Sequence, residues 1–427
     1  MAAVAAELVS RGHEVVAYTG AKYHTRFKAI GATWLPWTRA QDFDDAEMAA
    51  TFPEMAGGKR SRGAMSTTKL VLFGTAAGQA ADIRVAASQT PFDLMVADQL
   101  AFGAALASES LDRPWVTVSP TLLALTSRDL PPFGFRLRPA TGPLGRLRDA
   151  MMRRLVQAAY RKIINPHVDR IRATVELPPT TITGMDSLFS PYLVLTQGVF
   201  GFDYPRNDLP AHVHYVGRLA QPPNGQPELP PWWPELTTAR AQGRPVIYVT
   251  QGTLDTNPDE LLRPTIAALA DLDLLLVCST GGLPCEVLGP LPPNVRAARF
   301  VPYDALLPQL DLVVTNGGLG AVLTAIEAGV PLVVAGGPID KPEVARRVAW
   351  SGVGLDLRTG APRSHQVRQA VNRVLQEPRL RQRSREIGAA LTAAGGAPAA
   401  ATLIENLLTR SGIPAAGGPS GPRPPVR

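Results

Sequence analysis

Two stretches of this chain place glycines where an apolar strand gives way to a helix, and both have the makings of an anion site. In "VTNGGLGAVLTAIEAGVPLVV", starting at Val314, the glycines Gly317, Gly318 and Gly320 close one apolar run and open a helical one. Glycine lets the backbone approach a ligand closely. Unpaired N–H groups at a helix start carry the positive end of the helix dipole, which suits a phosphate or diphosphate. In "VTQGT", Gly252 and Thr253 end a second apolar run and offer an N–H and a hydroxyl. Two such turns in one domain can hold a diphosphate from both sides. Taken singly, a GGxG also makes a plain strand-to-helix turn with no ligand. The spacing is neither the G-x-G-x-x-G of dinucleotide binders nor a phosphate loop ending in Gly-Lys-Ser/Thr.

The elements that must position these turns read as parallel α/β units. Continuous apolar runs at 93–98, 115–120, 192–197, 213–217, 245–252, 274–280, 296–302, 310–318 and 331–336 alternate with helical stretches. Strands that are apolar throughout, rather than on alternate residues, are covered by helices on both faces. The length of 427 residues exceeds one core and predicts two α/β domains. The divisions expected are a first domain over 1–220, a proline-rich linker over 221–244, a second domain over 245–395, a terminal helix over 396–412 and a disordered tail over 413–427. The chain opens inside a helix, "AAVAAELVSRG", followed by the strand "HEVVAYTG". A doubly wound domain normally opens on a strand, so the first strand is expected to lie upstream of the recorded start.

Composition narrows the classes further. There is no apolar run of about 18 residues, and hence no expected membrane span. A basic leader with a cleavage site is not apparent. Cys278 and Cys285 form neither a disulfide framework nor a metal knuckle, which points to a reducing, cytoplasmic setting. The net charge of +7 is modest for this length and argues against a nucleic-acid partner. No metal site is expected: His212 and His214 lack a third ligand, and Asp271–Asp273 in "DLD" reads as a turn before an apolar strand.

At this point the chain resembles the nucleotide-sugar glycosyltransferases of the GT-B fold. It is similar to the UDP-glycosyltransferase superfamily, near its bacterial macrolide and antibiotic branch, over about residues 1–410 and most of all over 245–360. That family carries His-Gly-Gly-x-Gly-Thr, a glutamate three residues on, Gly-Val-Pro and Asp-Gln. The present chain has Asn316-Gly317-Gly318-Leu319-Gly320-Ala321, then Thr324, Gly329-Val330-Pro331 and Asp340-Lys341. The resemblance implies two Rossmann-like, doubly wound parallel-sheet domains facing across a cleft. By the same resemblance Asn316 and the backbone after it contact donor phosphates, although a turn asparagine before glycines reads equally well. Ala321 keeps only its N–H. Thr324 replaces a glutamate that grips ribose hydroxyls, a loss that suits a deoxyribose donor such as a TDP-sugar, with Glu327 one turn on as a stand-in. Asp340 matches the acid that bonds the sugar hydroxyls, and Lys341 is expected to pair with a phosphate or with Glu343. Phe300 would stack on the nucleobase and the Val301 backbone would read its edge, against simple packing at a strand end.

The reaction so implied moves a hexose or deoxyhexose from a UDP- or TDP-sugar to a small hydrophobic acceptor, with inversion, without a metal and with no cofactor beyond the nucleotide-sugar co-substrate. The family's general base is a histidine in the loop after the first strand, upstream of Met1. Its aspartate partner corresponds to Asp98, at the end of "DLMVAD". The apolar, proline-punctuated segment 120–139 is expected to wall a pocket for a polyketide, lipid or carotenoid-like acceptor. The basic amphipathic stretch 145–173 reads as a solvated face or as loose attachment to an anionic membrane surface. The alternatives are a non-catalytic donor-binding or auxiliary protein, motivated by Asn316, Ala321 and Thr324, and a nucleotide-sugar epimerase.

Overall fold

Valine, leucine and isoleucine runs that are buried on both faces build two parallel sheets. The structure, a computed structural model, describes residues 1–44, 48–53, 68–220, 228–253 and 257–410. In the C-terminal half the strands are β7 (Val246–Thr250), β8 (Leu275–Ser279), β9 (Val295–Ala298), β10 (Leu312–Thr315), β11 (Leu332–Val334) and β12 (Gly354–Asp356). They lie in the order β12-β11-β10-β7-β8-β9, every pair parallel. Alternate residues feed two different cores. Val246, Tyr248, Val313 and Leu332 join one apolar cluster, while Ile247, Val249, Leu312, Val314 and Val333 join another on the opposite face. That is the doubly wound arrangement, and it explains why these strands read as unbroken apolar runs.

The N-terminal half is discontinuous. Strands β3 (Met95–Asp98), β4 (Trp115–Ser119), β5 (Leu193–Thr196) and β6 (Val213–Tyr215) form one parallel sheet, and β1 (Val16–Tyr18) and β2 (Thr33–Leu35) form a separate pair. The helix Gly396–Arg410 returns to this half. Its Ala400, Ala401 and Ile404 pack with Val4, Leu8, Val116, Val118, Leu193 and Leu195, and Glu405 accepts from Arg11 Nη1 at 2.7 Å.

Several readings change in detail. Pro378–Thr409 has the length and hydropathy of a membrane span, which the sequence reading did not find. The chain breaks there, with Gly395 at φ +83°, into Pro378–Ala393 and Gly396–Arg410, and the first of these packs on the helix Leu319–Glu327. Of the stretch read as a linker, 221–227 lies outside the described residues; the rest carries the helix Pro234–Ala241, whose Leu236 and Ala239 enter the C-terminal core. The tail at 413–427 also lies outside the described residues. Strand β9 stops at Ala298 rather than running to 302, because Arg299–Pro302 swings out as a loop. The basic stretch forms the helices Pro143–Ile163 and Asn165–Thr174. Leu144, Leu147, Met151 and Leu155 make an exposed row along the first.

Candidate functional site

The register between β10 and β7 pairs Thr315 with Thr250, so both strands end level and release their turns side by side. Asn316 spans the gap: it is 6% exposed, and its Nδ2 donates to the carbonyl of Gln251. The amide expected to face a donor phosphate therefore ties the two turns together. Gln251 was not anticipated. Its side chain donates to Asn257 O at 2.8 Å and accepts from Leu262 N at 3.0 Å, fixing the first turn to the helix Leu262–Leu269. An apolar run closed by a glutamine before glycine was the available signal.

Gly317 is the constrained member of the second turn. Its φ is +91°, and a Cβ there would come within 2.8 Å of Val334 Cγ1 and 3.2 Å of Lys341 O. Only glycine tolerates both the left-handed backbone and that approach. The contact also brings the Asp340–Lys341 loop against the glycine turn. Among the described residues, a Cβ at Gly318, Gly320 or Gly252 would meet nothing within 4 Å. Gly318 caps the helix Leu319–Glu327 and, as glycine, has no side chain to bond the helix N–H groups. The first N–H groups of this helix can accept negative charge. Thr253 is exposed beside it and Ala321 is half-buried.

Two ribose candidates are occupied. Thr324 Oγ1 donates to Gly320 O at 2.7 Å, turning its hydroxyl onto its own helix. Glu327, the expected stand-in for the missing glutamate, pairs with Arg218 at 2.5 Å instead. That reading is corrected: an arginine from the N-terminal half reaches it, which no local pattern shows.

Phe300 is 65% exposed in the loop after β9, while Val301 is 9% exposed and joins the core. The Phe300 ring lies 3.1 Å from the Cβ position of Gly282, and Gly282 N donates to Arg299 O at 3.2 Å. Gly281 in turn packs so tightly that a Cβ would strike Gly252 O. The pair Gly281-Gly282 thus links the aromatic loop to the Gly252 turn. The sequence reading missed it, although a glycine pair after a strand was its signal.

Asp340 precedes the helix Lys341–Ser351, and the preceding Ile339 holds φ +67°, a strained conformation for a β-branched residue. Burial raises the Asp340 pKa against the pull of its own backbone N–H and of Lys341. Glu343, the alternative partner foreseen for Lys341, is taken up by Arg347 at 2.7 Å. In the other half, Asp98 ends β3 as expected and accepts from Leu100 N at 2.8 Å. Burial raises its pKa, offset in part by the Leu100 amide. A cavity of about 670 Å³ lined by Arg240, Arg244, Arg381 and Arg385 also touches Asp311 and Pro331, at the opposite, strand-start end of the C-terminal sheet.

Known proteins share this architecture. Residues 263–407 match the family model described as the erythromycin biosynthesis protein CIII-like C-terminal domain. The chain is 38% identical over 409 residues to 4'-demethylrebeccamycin synthase of Lentzea aerocolonigenes, covering 96% of each. It is 30% identical over 418 residues to UDP-glucosyltransferase 1 of Beauveria bassiana, covering 89% of this chain and 86% of that protein. Its fold matches the crystal structure of a calicheamicin glycosyltransferase at TM-score 0.72 and 24% identity, over 96% of this chain and 95% of the other.

Proposed function

The chain belongs to the UDP-glycosyltransferase superfamily, in its antibiotic branch, and it is a glycosyltransferase that uses a nucleotide-sugar donor; from that premise we propose that it moves a hexose or deoxyhexose from a UDP- or TDP-sugar to a small hydrophobic acceptor, with inversion and without a metal. The observation that carries the donor side is the level pair of turns at Gly252 and Gly317–Gly318, with an uncapped helix end and open space beside them. These N–H groups would stabilise the diphosphate as it leaves with the electron pair of the broken C–O bond. Phe300 would take the base and Asp340 the sugar hydroxyls. A related glycosyltransferase was crystallised with DTDP, which favours testing thymidine nucleotides first.

On the acceptor side, the hydroxyl oxygen attacks the anomeric carbon from the opposite face and gives up its proton. Asp98 would orient and stabilise the base that takes it. The resemblance assigns that base to a histidine, not to Asp98 itself. Segment 120–139 would wall the acceptor, and the exposed Leu144–Leu155 row with Arg154, Arg161 and Lys162 would rest on an anionic membrane surface.

A thermal-shift panel with UDP, TDP and GDP tests the donor reading, because a ligand that binds only the native state raises its Tm. TDP or UDP is expected to raise it by several degrees at saturating concentration, with EDTA leaving the shift and the turnover unchanged. No shift with any of the three, or protection by GDP alone, overturns the base and phosphate assignments.

A further inference from the structure

The irregular segment after β4 is staked to the protein by side chains. Arg206 donates to Leu123 O at 2.6 Å and Leu125 O at 2.8 Å, Asp186 accepts from Thr126 N at 3.0 Å, Asp208 accepts from Arg128 N at 2.6 Å, and Arg153 donates to Leu130 O at 2.7 Å. All of these come from the N-terminal half. The last stake does not. Glu343 Oε1, on the helix Lys341–Ser351, accepts from Gly134 N at 3.1 Å and Arg136 N at 2.7 Å. These two bonds fall where the loop turns through left-handed backbone: Gly134 has φ +93°, and Arg136, a residue that seldom adopts it, has φ +57°.

Glu343 is itself held from behind. Its Oε2 accepts from Arg347 Nη1 at 2.7 Å, and Arg347 Nε donates to Asp203 Oδ1 at 2.8 Å. Asp203 Oδ2 accepts from the Tyr215 hydroxyl at 2.7 Å. The Arg347 guanidinium lies 4.2 Å from the Tyr204 ring centroid and 5.9 Å from that of Phe133. Glu343, Arg347 and Asp203 are 4%, 2% and 3% exposed. Burying three charges is costly unless every one is paired and hydrogen-bonded. Here they are, and the arrangement specifies one geometry. Burial alone would push Asp203 upward, but Arg347 and Arg206 hold it below the ordinary carboxylate range.

The same helix is capped by Asp340, whose carbonyl accepts from Glu343 N at 2.9 Å. One turn of helix therefore joins the candidate sugar-binding carboxylate to the buried anchor of the acceptor-side loop. We propose that Glu343, backed by Arg347 and Asp203, is a positioning residue that fixes segment 133–136 over the donor sugar and couples acceptor selection to donor binding. The proposal rests on the donor reading given above.

The test is amide hydrogen exchange of the full chain, with and without TDP, in wild type, Glu343→Gln and Glu343→Ala. Wild type should show TDP-dependent protection at both 316–324 and 130–138. In Glu343→Ala, exchange at 130–138 should rise at least about tenfold, since two hydrogen bonds to a charged group are lost. TDP should still protect 316–324 but no longer reach 130–138. Glu343→Gln keeps an oxygen for the loop amides but turns an N–H toward Arg347, so its effect should be intermediate and its fold intact. With any acceptor that wild type turns over, both variants should raise the acceptor KM while leaving the TDP Kd within about twofold. A residue that serves stability alone would speed exchange across the whole half and leave the TDP-linked protection in place, which overturns the proposal. If TDP protects neither segment in wild type, the donor reading falls; unchanged exchange at 130–138 in nucleotide-free Glu343→Ala then removes the anchor as well.

Discussion

The two halves of this molecule follow one plan and differ in how the plan is held together. In the C-terminal half six strands pair without interruption among the described residues, and the proposed donor groups are backbone groups at strand ends. In the N-terminal half the sheet is parted between β1 and β3, and the segment proposed to wall the acceptor is irregular chain pinned by charged side chains. A continuous sheet can position a phosphate turn through main-chain geometry alone, because register fixes where strands end. A long loop has no such register. It needs specific partners for its buried N–H and C=O groups, and its position is only as firm as those partners.

The sharpest break of this comparison is Asp98→Asn. It leaves the C-terminal half untouched, so TDP affinity should stay within about twofold while turnover falls by about two to four powers of ten, the usual span for general acid–base assistance. A variant with full turnover would remove the N-terminal half from the chemistry. The pH dependence follows from the same residue. Burial raises its pKa, so the carboxylate form appears only above the ordinary carboxylate range, and kcat/KM should rise with pH through a limb displaced upward. For stability the sign is opposite. A raised folded-state pKa means that the native state holds the proton more tightly, so this group's contribution falls as pH rises through that window. Asp98→Asn should abolish both dependences.

Asp340→Ala tests the other side. Turnover should fall by about ten- to a hundredfold, as for loss of hydrogen bonds to a charged group, with Tm within about two degrees. Unchanged turnover rejects its role at the sugar. A smaller contrast sharpens the backbone argument. Gly317→Ala places a Cβ 2.8 Å from Val334 at φ +91°, and should cost about 2 kcal/mol of stability together with roughly tenfold in TDP affinity, a change worth about 1.4 kcal/mol. Gly320→Ala meets open space in a helical position, and should be neutral or stabilising by up to about 1 kcal/mol. Equal effects would mean that the turn's geometry is not what matters. The smallest effect concerns the membrane proposal: Leu147→Glu with Leu155→Glu should lower co-sedimentation with phosphatidylserine vesicles a few-fold and leave turnover of a soluble acceptor unchanged. Sedimentation that is absent in wild type, or a helix row buried in a dimer, removes that reading.

Much of the C-terminal half was legible because its signals are local. Apolar runs of strand length announced β7, β8, β10 and β11. Glycines directly after them announced turns, and the frame from Asn316 to Lys341 carried the family resemblance. The end of β9 and the short β12, with its glycine and aspartate, were less legible because few residues define them. The N-terminal half showed β1, β3, β4, β5 and β6 in its apolar runs, but neither the three-residue β2 nor the pinning of its loop.

By itself, then, the amino-acid order determined which segments become strands, where they turn and that two α/β units are present, because strand and helix patterns repeat over a few residues. Only the tertiary structure decided the partners. It set Asn316 against Gln251, Glu327 against Arg218, and Glu343 against Gly134 and Arg136 across a separation of some 200 positions. It also folded the helix Gly396–Arg410 back onto the first half. A charged side chain reads the same whether exposed or buried. What it does depends on which distant groups the packed chain brings within hydrogen-bond reach, and on the loss of water that makes those bonds obligatory.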